Sequence, residues 1–281
     1  MYSSSSYAHL ECDECGGCDG RRQVSADCAP HSLGSPGSAR GCPEPSPRQR
    51  DFVMSTSEKM TPVAPHSEFA QVIGCGRCSI AGDRHLLRDD AENVPQPGYV
   101  GSGYSVSRVL LVGQNPGTPK TLAREDLPYT AALRALRDDP SPAQYEALDS
   151  LLEAFIPRWP VHGSYFPLAE CGLSLRDIAY CNIVRCRTTD DKSPGRATIA
   201  NCTSTHFARC LAFLEPRVVV FIGKWAAEHG AGPVQRAGIP FAFMNRQRSL
   251  SSEGRAANRA EVIALVRGVV GDITRREGTP R

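Results

Sequence analysis

The chain has 281 residues, 41% of them hydrophobic and 22% charged, which is enough for one sizeable folded domain. No apolar run approaches the roughly 20 residues of a membrane-spanning helix, and the polar start is unlike a secretory signal peptide, so we expect a cytoplasmic protein without membrane contact. The net charge of +2 indicates no class of partner, although residues 245–281 hold eight Arg against four Asp and Glu. This local excess suits either a polyanionic partner or a solvated helix face.

The first 53 residues form a segment of biased composition. They are rich in Ser, Gly, Pro and Arg without sustained hydrophobic periodicity, so we expect residues 1–53 to be a disordered extension. Cys12, Cys15 and Cys18 within this segment have the spacing of metal ligands, but no fourth ligand has a structural frame around it. Met54 is a second possible start of the reading frame.

Residues 66–272 have the pattern of an α/β domain, and we expect residues 273–281 to be a flexible basic tail. Short apolar strands are predicted at 108–112, 179–185, 217–222 and 240–244. Helices are predicted at 130–138, 142–155, 197–213 and 256–270. Apolar strands that alternate with helices indicate a three-layer αβα sandwich around a central, mainly parallel, four-stranded sheet.

Polar residues follow each of the four predicted strands. Gly113–Gly117 comes after the first strand, Asn182 and Arg185 lie near the end of the second, Gly223 follows the third and Asn245 the fourth. Parallel α/β sheets bind their ligands at the carboxyl ends of the strands. We therefore expect these residues to line one crevice.

The turn at residues 113–117, GQNPG, places two side-chain amides at this crevice. It lacks the Gly-x-Gly-x-x-Gly and Gly-Lys-Ser/Thr patterns that cradle phosphates, so a nucleotide-handling Rossmann-like enzyme is a weak interpretation. Gln114 and Asn115 cannot act as nucleophiles, but an amide can hold a water molecule by its carbonyl oxygen or read the edge of a pyrimidine base. In the alternative interpretation Asn115 only caps its own turn.

Two segments resemble motifs of a known family. GQNPG is similar to the first motif of the uracil-DNA glycosylase superfamily, in the Gly-x-Asn-Pro-Gly form of its mismatch-specific and single-strand-selective branches. CNIVRCR, at 181–187, resembles the second strand-end motif of the iron–sulfur branches. The resemblance continues through Pro194, Cys202 and EPRVVVFIG in the same chain order, and it covers roughly residues 70–270.

The resemblance implies a role for each residue of the crevice. Asn115 would position the water molecule that attacks the deoxyribose carbon, and Asn182 would recognise the uracil edge. Gly113 and Gln114 would line the base, Gln114 through its backbone amide or carbonyl.

An extruded base also requires an aromatic side chain on which to stack. Tyr129, in the segment LPYT, follows the first motif at a suitable distance. A core or turn position is an equal alternative for Tyr129, and Phe166 would then be its substitute.

The chain has twelve cysteines, and clustered cysteines in a reducing compartment more often bind metal than form disulfides. The resemblance implies a structural 4Fe–4S cluster, with tetrahedral structural zinc as the chemical alternative. Its four ligands would be Cys75, Cys78, Cys186 and Cys202. Three more cysteines are expected to be ordinary buried or half-buried thiols, namely Cys171, Cys181 and Cys210.

The sequence departs from the family after the fourth strand. The family carries His-Pro-Ser or a close variant there, and that His stabilises the departing base, whereas the segment here is MNRQRSL. Asn245 could donate one hydrogen bond to the base, which is weaker than a charge-assisted bond. Arg246 and Arg248 could supply charge or contact DNA phosphates, and Leu250 could act as the wedge in the duplex.

No histidine of the chain is an evident replacement for the missing one. His162 and His206 are nearest to the core motifs in sequence, and each is expected to be a surface or core residue. Losing one preorganised donor lowers a rate by about 10²–10³-fold. The departure therefore predicts a slow glycosylase, an altered choice of base, or a protein that binds without cleaving.

The sequence leads to one main hypothesis and one rival. The main hypothesis is a monomeric DNA glycosylase of base excision repair, which binds DNA that contains uracil or deaminated bases and hydrolyses the N-glycosidic bond. The rival is a DNA-binding member of the same superfamily that retains the iron–sulfur cluster without turnover.

Overall fold

The computed structural model of the protein describes residues 65–80, 82–83, 85–87, 94–117, 126–155, 166–189, 192–245 and 251–277. The predicted N-terminal extension lies outside these residues, as do His162 and the predicted DNA contacts Arg246, Arg248 and Leu250. Among the helices in the described ranges, none has both the length and the apolar character needed to cross a bilayer.

Five strands of the described residues form one sheet in the order β1-β3-β2-β4-β5. The strands are β1 (Tyr99–Val100), β2 (Val109–Gly113), β3 (Ile178–Asn182), β4 (Val218–Ile222) and β5 (Phe241–Met244). The pairs β2–β3, β2–β4 and β4–β5 are parallel, whereas β1 pairs antiparallel with β3. The four predicted strands and the mainly parallel sheet are confirmed, and the prediction of four strands missed the short edge strand β1.

Helices surround this sheet. They are α1 (Pro65–Ile73), α2 (Arg77–Ile80), α3 (Tyr104–Ser107), α4 (Asp126–Asp138), α5 (Pro142–Phe155), α6 (Arg196–Cys202), α7 (Ala208–Leu214), α8 (Lys224–Arg236) and α9 (Ser252–Glu277). A π-helical turn, Thr203–Phe207, joins α6 to α7, so the predicted helix at 197–213 is continuous. Helix α9 is longer than predicted and begins where the Ser251 hydroxyl accepts a hydrogen bond from the Gly254 N–H (3.0 Å).

The two faces of the sheet are covered by different helices. Side chains along a strand alternate between its faces, and in β2 Leu110 lies in a buried cluster with Leu211 of α7. Leu111 lies in a second cluster with Val262 of α9. All five residues of β2 are buried, as a strand between two helical layers requires. The predicted αβα sandwich is thereby confirmed.

Helix α8 was not among the predicted helices, because its sequence Gly-Ala-Gly-Pro at 230–233 is typical of a loop. The parallel step from β4 to β5 nevertheless requires a crossover, and α8 supplies it. Gly230 lies so close to the sheet that a Cβ atom there would meet the Phe221 ring and lie 2.7 Å from Ile183 Cδ1. Packing against the sheet therefore outweighs the low helix propensity of glycine at this position.

Candidate active site at the carboxyl ends of the strands

The parallel pair β2–β3 holds the two predicted motifs side by side. Gly113 is the register partner of Asn182, and each is the last residue of its strand. Pairing continues beyond the strands, since the Ile183 N–H donates to the Gly113 carbonyl (2.9 Å) and the Val184 N–H to the Gln114 carbonyl (2.9 Å). The backbone thus fixes both motifs at one edge of the sheet. The Gln114 carbonyl, one of the groups expected to contact the base, already accepts a bond within the fold.

Gly113 is the residue that leaves room for polar groups between these strands. A Cβ atom on Gly113 would overlap Asn182 Oδ1 and would lie 2.6 Å from the Tyr180 hydroxyl oxygen. Both distances are shorter than non-bonded atoms tolerate, so any larger residue displaces one or both side chains. The lack of space for a Cβ atom therefore explains why the first residue of GQNPG is a glycine in this structure.

The Asn182 side chain is buried, and a neighbour on the same strand sets its orientation. The Tyr180 hydroxyl donates to Asn182 Oδ1 at 2.8 Å, as residues i and i+2 share a face of a strand. Oδ1 keeps a second lone pair, and Nδ2 keeps its amide protons as donors. Asn182 therefore presents an acceptor and a donor side by side.

The Asn115 amide is also oriented before any ligand binds. Its Nδ2 donates to the Thr188 hydroxyl oxygen at 3.1 Å and to the Pro116 carbonyl at 3.2 Å. These two bonds use both amide protons, so Oδ1 is the group left to accept a hydrogen bond from a water molecule. The bond to Pro116 fits the interpretation of a turn cap, whereas the bond to Thr188 joins the turn to the segment after β3.

The position of Thr188 is itself fixed by the fold, so its hydroxyl can hold the Asn115 side chain in one orientation. It is fully buried and forms an isolated antiparallel bridge with Leu86. The Thr189 N–H donates to the His85 carbonyl at 2.8 Å on the same segment. Asn115 is therefore fastened to a buried part of the fold.

Asn245 follows β5 at the same edge of the sheet. Its N–H donates to Asn258 Oδ1 at 2.7 Å, and Asn258 Nδ2 donates to the Phe243 carbonyl at 3.0 Å. A residue of α9 therefore holds the main chain at the end of β5. Since β4 lies between β2 and β5, Asn245 is about 10 Å from the end of β2 at the usual strand spacing.

Some of the positive charge of the C-terminal region is used within the fold. The Arg259 guanidinium forms an ion pair with the Glu170 carboxylate, and Arg267 Nε donates to the Glu170 carbonyl at 2.6 Å. These two arginines of α9 tie that helix to the segment before β3. The interpretation as a helix face therefore accounts for this part of the cationic region.

The structure places both predicted stacking residues in the core. Tyr129 is 4% exposed and packs in the apolar cluster of α1, α4 and α5, next to Leu133. Phe166 is completely buried in the cluster that covers the α9 face of the sheet. Of the two interpretations of Tyr129, burial favours the core residue, because a stacking platform needs an exposed ring face.

His206 lies in the π-helical turn, away from the strand ends. Burial, together with the charges of Arg185, Arg77 and Arg209, lowers its pKa to about 4. The imidazole is therefore neutral at pH 7 and surrounded by cations, which does not suit stabilisation of a departing anion at the other site. The expectation that His206 is a core residue is in line with its 8% exposure.

Three of the four cysteines assigned to the cluster are buried together. Cys78, Cys186 and Cys202 belong to one buried cluster. A hydrogen bond shared with Cys78 raises the pKa of Cys202, and proximity to Cys186 raises it further. Cys75 is partly exposed. Within the described ranges, however, no three His, Cys, Asp or Glu side chains are grouped so that they could hold a metal ion.

A cavity of about 400 Å³ adjoins β3, with Tyr180 and Arg185 in its wall. It is lined by residues of α1, β1, β3, the π-helical turn and α7, among them Glu68, Tyr99, Cys181, His206 and Cys210, and we call it the α1–α7 cavity. Neither Asn115 nor Asn182 lines it. We place the candidate active site at the strand ends because the oriented amides, and not this cavity, carry the chemistry of the two motifs.

Sequence reasoning missed three residues that orient the site, namely Tyr180, Thr188 and Asn258. Tyr180 could have been found, because it precedes Asn182 by two residues in a predicted strand and must share its face. Thr188 contacts Asn115 across 73 residues of chain, and Asn258 contacts Asn245 across 13 residues that lie in different elements. No local pattern identifies such contacts.

Comparison of the chain with models of known protein families finds one family. The model of the uracil DNA glycosylase superfamily matches residues 100–266, which is more than half of the chain and spans β2 to β5. A search of curated proteins finds no match.

Proposed function

The chain belongs to the uracil-DNA glycosylase superfamily, and we propose that it is a DNA repair glycosylase that hydrolyses the N-glycosidic bond of uracil or of a related deaminated base. Superfamily membership supports a hydrolase that acts on DNA. The choice of base and the roles of individual residues are inferred from the geometry at the strand ends.

Base excision makes four demands on a protein. The base must leave the stack, its edge must be recognised, a water molecule must reach the sugar carbon, and charge on the departing base must be stabilised. Two neutral amides can meet the second and third demands, provided that each is held in one orientation.

Asn182 is the group that we assign to the base. Uracil presents an N–H beside a carbonyl oxygen, and Asn182 offers an acceptor, Oδ1, beside a donor, Nδ2. The Tyr180 hydroxyl bond favours the orientation in which Oδ1 faces that hydroxyl. Cytosine has an acceptor where uracil has the N–H, so it would leave buried polar groups unpaired and would be rejected.

Asn115 is the group that we assign to the water molecule. Both of its amide protons are used by Thr188 and Pro116, so its Oδ1 accepts a hydrogen bond from the water. The amide is a poor base and contributes mainly by holding the nucleophile in line with the sugar carbon. Proton uptake by a second group is not required for this positioning role.

Charge stabilisation is the weakest part of the site. Asn245, which occupies the strand end where the family carries its histidine, would donate one neutral hydrogen bond to the departing base. A neutral bond is roughly half as strong as a charge-assisted bond. We therefore expect a turnover that is slower, by about 10²–10³-fold, than that of a site with a full set of preorganised donors.

The observation that carries this proposal is the pairing of Gly113 with Asn182, which sets the two motifs side by side. The test uses end-labelled oligonucleotides with one uracil, either single-stranded or paired with guanine or adenine, followed by alkaline cleavage of abasic sites. We expect a strand break at the uracil position. The matched oligonucleotide with cytosine at that position should stay intact.

A different outcome of the same assay would favour the rival function. The absence of a histidine after β5 is the observation that favours a DNA-binding member without turnover. Retained binding of uracil-containing DNA without any strand break would support it. Absence of both binding and breaks would contradict both functions.

We further propose that Cys75, Cys78, Cys186 and Cys202 bind a structural 4Fe–4S cluster. Support comes from the common burial of three of these thiols and from the Cys78–Cys202 contact. A bound cluster would tie the segment before β1 to the helix that carries Cys202. Structural zinc on the same thiols is the alternative.

Metal analysis of freshly purified protein tests the cluster. We expect brown protein with iron and acid-labile sulfide, and loss of the colour in Cys186→Ser. Cys171→Ser is the matched control, because Cys171 is also buried but lies in the cluster on the other face of the sheet. Colourless protein with stoichiometric zinc would contradict the cluster and support zinc.

A further inference from the structure

Two thiols outside the cluster ligands are in contact within the fold. Cys181 is in β3 and Cys210 in α7, and their Sγ atoms share a hydrogen bond at 3.7 Å. The distance in a disulfide is about 2.05 Å, so the pair is close but not bonded. Neither residue contributes to the strand-end site, because Cys181 faces the side of the sheet opposite to Asn182.

A buried cation lies beside this pair. Arg185 is 1% exposed, and its Nη1 donates to the Pro97 carbonyl at 2.8 Å. Its Nε has no hydrogen-bond partner among the described residues. A guanidinium is always charged, and burying it is costly unless a negative group compensates.

Thiols are the groups beside Arg185 that can supply a compensating charge. Glu68 lines the same cavity, but its carboxylate pairs with Arg209 at 2.6 Å. The Arg185 side chain hydrogen-bonds with both Cys181 and Cys210. A negative charge on the Cys181–Cys210 pair would therefore compensate the buried guanidinium.

Cys210 is the more acidic member of the pair. The hydrogen bond that it shares with Cys181 and the charge of Arg185 together lower the pKa of Cys210 to about 7, against the effect of burial. The pKa of Cys181 is raised by the same bond. Cys171 is a useful contrast, since burial raises its pKa to about 11.

The thiol pair borders the α1–α7 cavity, part of whose wall is exposed. Cys210 is partly exposed, and both members of the pair line the α1–α7 cavity. The cavity lining also includes exposed residues, namely Gln71, Gly74, Gly76, Arg77 and Arg209. Its volume of about 400 Å³ is ample for a molecule of a few heavy atoms.

We propose that Cys210 is a peroxide-reactive thiol, which a small hydroperoxide oxidises from the α1–α7 cavity, and that Cys181 resolves the product as a disulfide. This modification site uses neither amide of the proposed glycosylase site and no proposed cluster ligand as a reacting thiol, although Cys75 lines the same cavity. It rests on the thiol pair, the buried cation and the cavity.

The reaction has two balanced steps. The Cys210 thiolate attacks one oxygen of the hydroperoxide, the O–O bond breaks, and the alkoxide or hydroxide that leaves takes up a proton. Cys210 is then a sulfenic acid. The Cys181 sulfur next attacks the Cys210 sulfur, the S–O bond breaks, and the hydroxide leaves as water with the proton of the Cys181 thiol. Two electrons pass in total from the two thiols to the peroxide.

Peptide mapping of the full chain after treatment with hydrogen peroxide tests the pair. Trypsin releases each thiol on its own peptide, DIAYCNIVR (177–185) for Cys181 and CLAFLEPR (210–217) for Cys210. We expect these two peptides to become linked, with a mass two hydrogen atoms below their sum. The internal control is Cys171, on WPVHGSYFPLAECGLSLR (159–176), which should stay reduced at the same dose.

A variant separates the two steps. In Cys181→Ser the sulfenic acid has no resolving partner, so dimedone should trap it on Cys210. In Cys210→Ser neither the linked peptide nor the trapped acid should form. Both variants should retain the colour of the purified wild-type protein, because neither residue is a proposed cluster ligand.

The rate of alkylation gives a second measurement. Iodoacetamide should alkylate Cys210 of the wild-type protein at least about tenfold faster than Cys171 at pH 7.5, because alkylation follows the thiolate fraction. The charged and titratable groups that face Cys210 are Cys181, Arg185, Glu68 and Tyr104, and the cavity wall adds Cys75, Arg77, Tyr99, Tyr180, His206 and Arg209. Oxidation and alkylation of Cys210 no faster than those of Cys171, or a disulfide of Cys210 with any other cysteine, would overturn the proposal.

Discussion

The carboxyl ends of β2 and β3 differ from the end of β5 in how the protein holds its polar residues. At β2 and β3 the side-chain amides themselves are oriented, Asn115 by Thr188 and Asn182 by Tyr180. At β5 it is the main chain of Asn245 that Asn258 holds. Groups that recognise a base and place a water must be aligned beforehand, because misalignment is costly in rate.

The difference lies in which groups the fold orients. The paired strands β2 and β3 hold two side-chain amides in fixed orientations, whereas at the end of β5 only the main chain of Asn245 is held. Variants at the supporting residues can break this arrangement without removing either amide. They therefore test the comparison directly.

Gly113→Ala should have the largest effect among these variants. The added methyl group overlaps Asn182 Oδ1 and crowds the Tyr180 hydroxyl, so it displaces the Asn182 amide. A displacement of about 1 Å in a catalytic arrangement lowers kcat/KM by about 10²-fold. Gly268→Ala is the control, because a Cβ atom on that exposed helical glycine meets nothing within 4 Å. Equal activity of the two variants would show that Asn182 is not held as described.

Thr188→Val should lower the single-turnover rate by about fivefold, since it removes a buried hydrogen bond of about 1 kcal/mol and lets the Asn115 amide rotate. Thr188→Ser keeps the hydroxyl and should restore most of the rate. The measurement is single-turnover excision at saturating protein. A loss that serine does not restore would assign Thr188 to packing instead of positioning.

Tyr180→Phe should reduce discrimination by about fivefold, because one neutral hydrogen bond contributes about 1 kcal/mol. The measured quantity is the ratio of kcat/KM for uracil to that for cytosine in matched oligonucleotides. The ring remains, so packing against the neighbouring clusters is preserved. An unchanged ratio with a lower kcat for both bases would contradict the role of Tyr180 in orienting Asn182.

Asn258→Ala should change excision least, by no more than about threefold, and should mainly affect stability. It removes two hydrogen bonds to the main chain around Asn245, which predicts a loss of about 1–3 kcal/mol in the free energy of unfolding. Urea denaturation measures this loss, and the excision assay measures the rate. A fall in rate as large as that of Gly113→Ala would mean that the β5 end is as strictly preorganised as the β2–β3 end.

The sheet was largely predictable from the sequence, because its strands are short, apolar and followed by polar turns. Strand β1 was not, since its two residues are too few for a periodic pattern. Helix α8 was missed for a different reason, because Gly230 and Pro233 favour a loop locally and only packing on the sheet makes the helix favourable.

The sequence indicated the two amide side chains of the candidate site, but not the residues that orient them. Asn115 and Asn182 were located because carboxyl ends of parallel strands meet at one edge. The contact of Asn115 with Thr188 spans 73 residues of chain, so no local pattern indicates it. The prediction of Tyr129 as a stacking residue followed from sequence distance alone, which does not distinguish a ring at a surface from a ring in the core.

The most direct test of the central claim, that Asn115 places the water while Asn182 reads the base, compares rate and affinity in Asn115→Ala. Single-turnover excision and equilibrium binding are measured on the same uracil-containing oligonucleotide. We predict that the rate falls by about 10²–10³-fold while the Kd changes by less than about threefold, because Asn115 acts on the nucleophile and not on the bound base. Equal losses of rate and affinity would contradict the assignment.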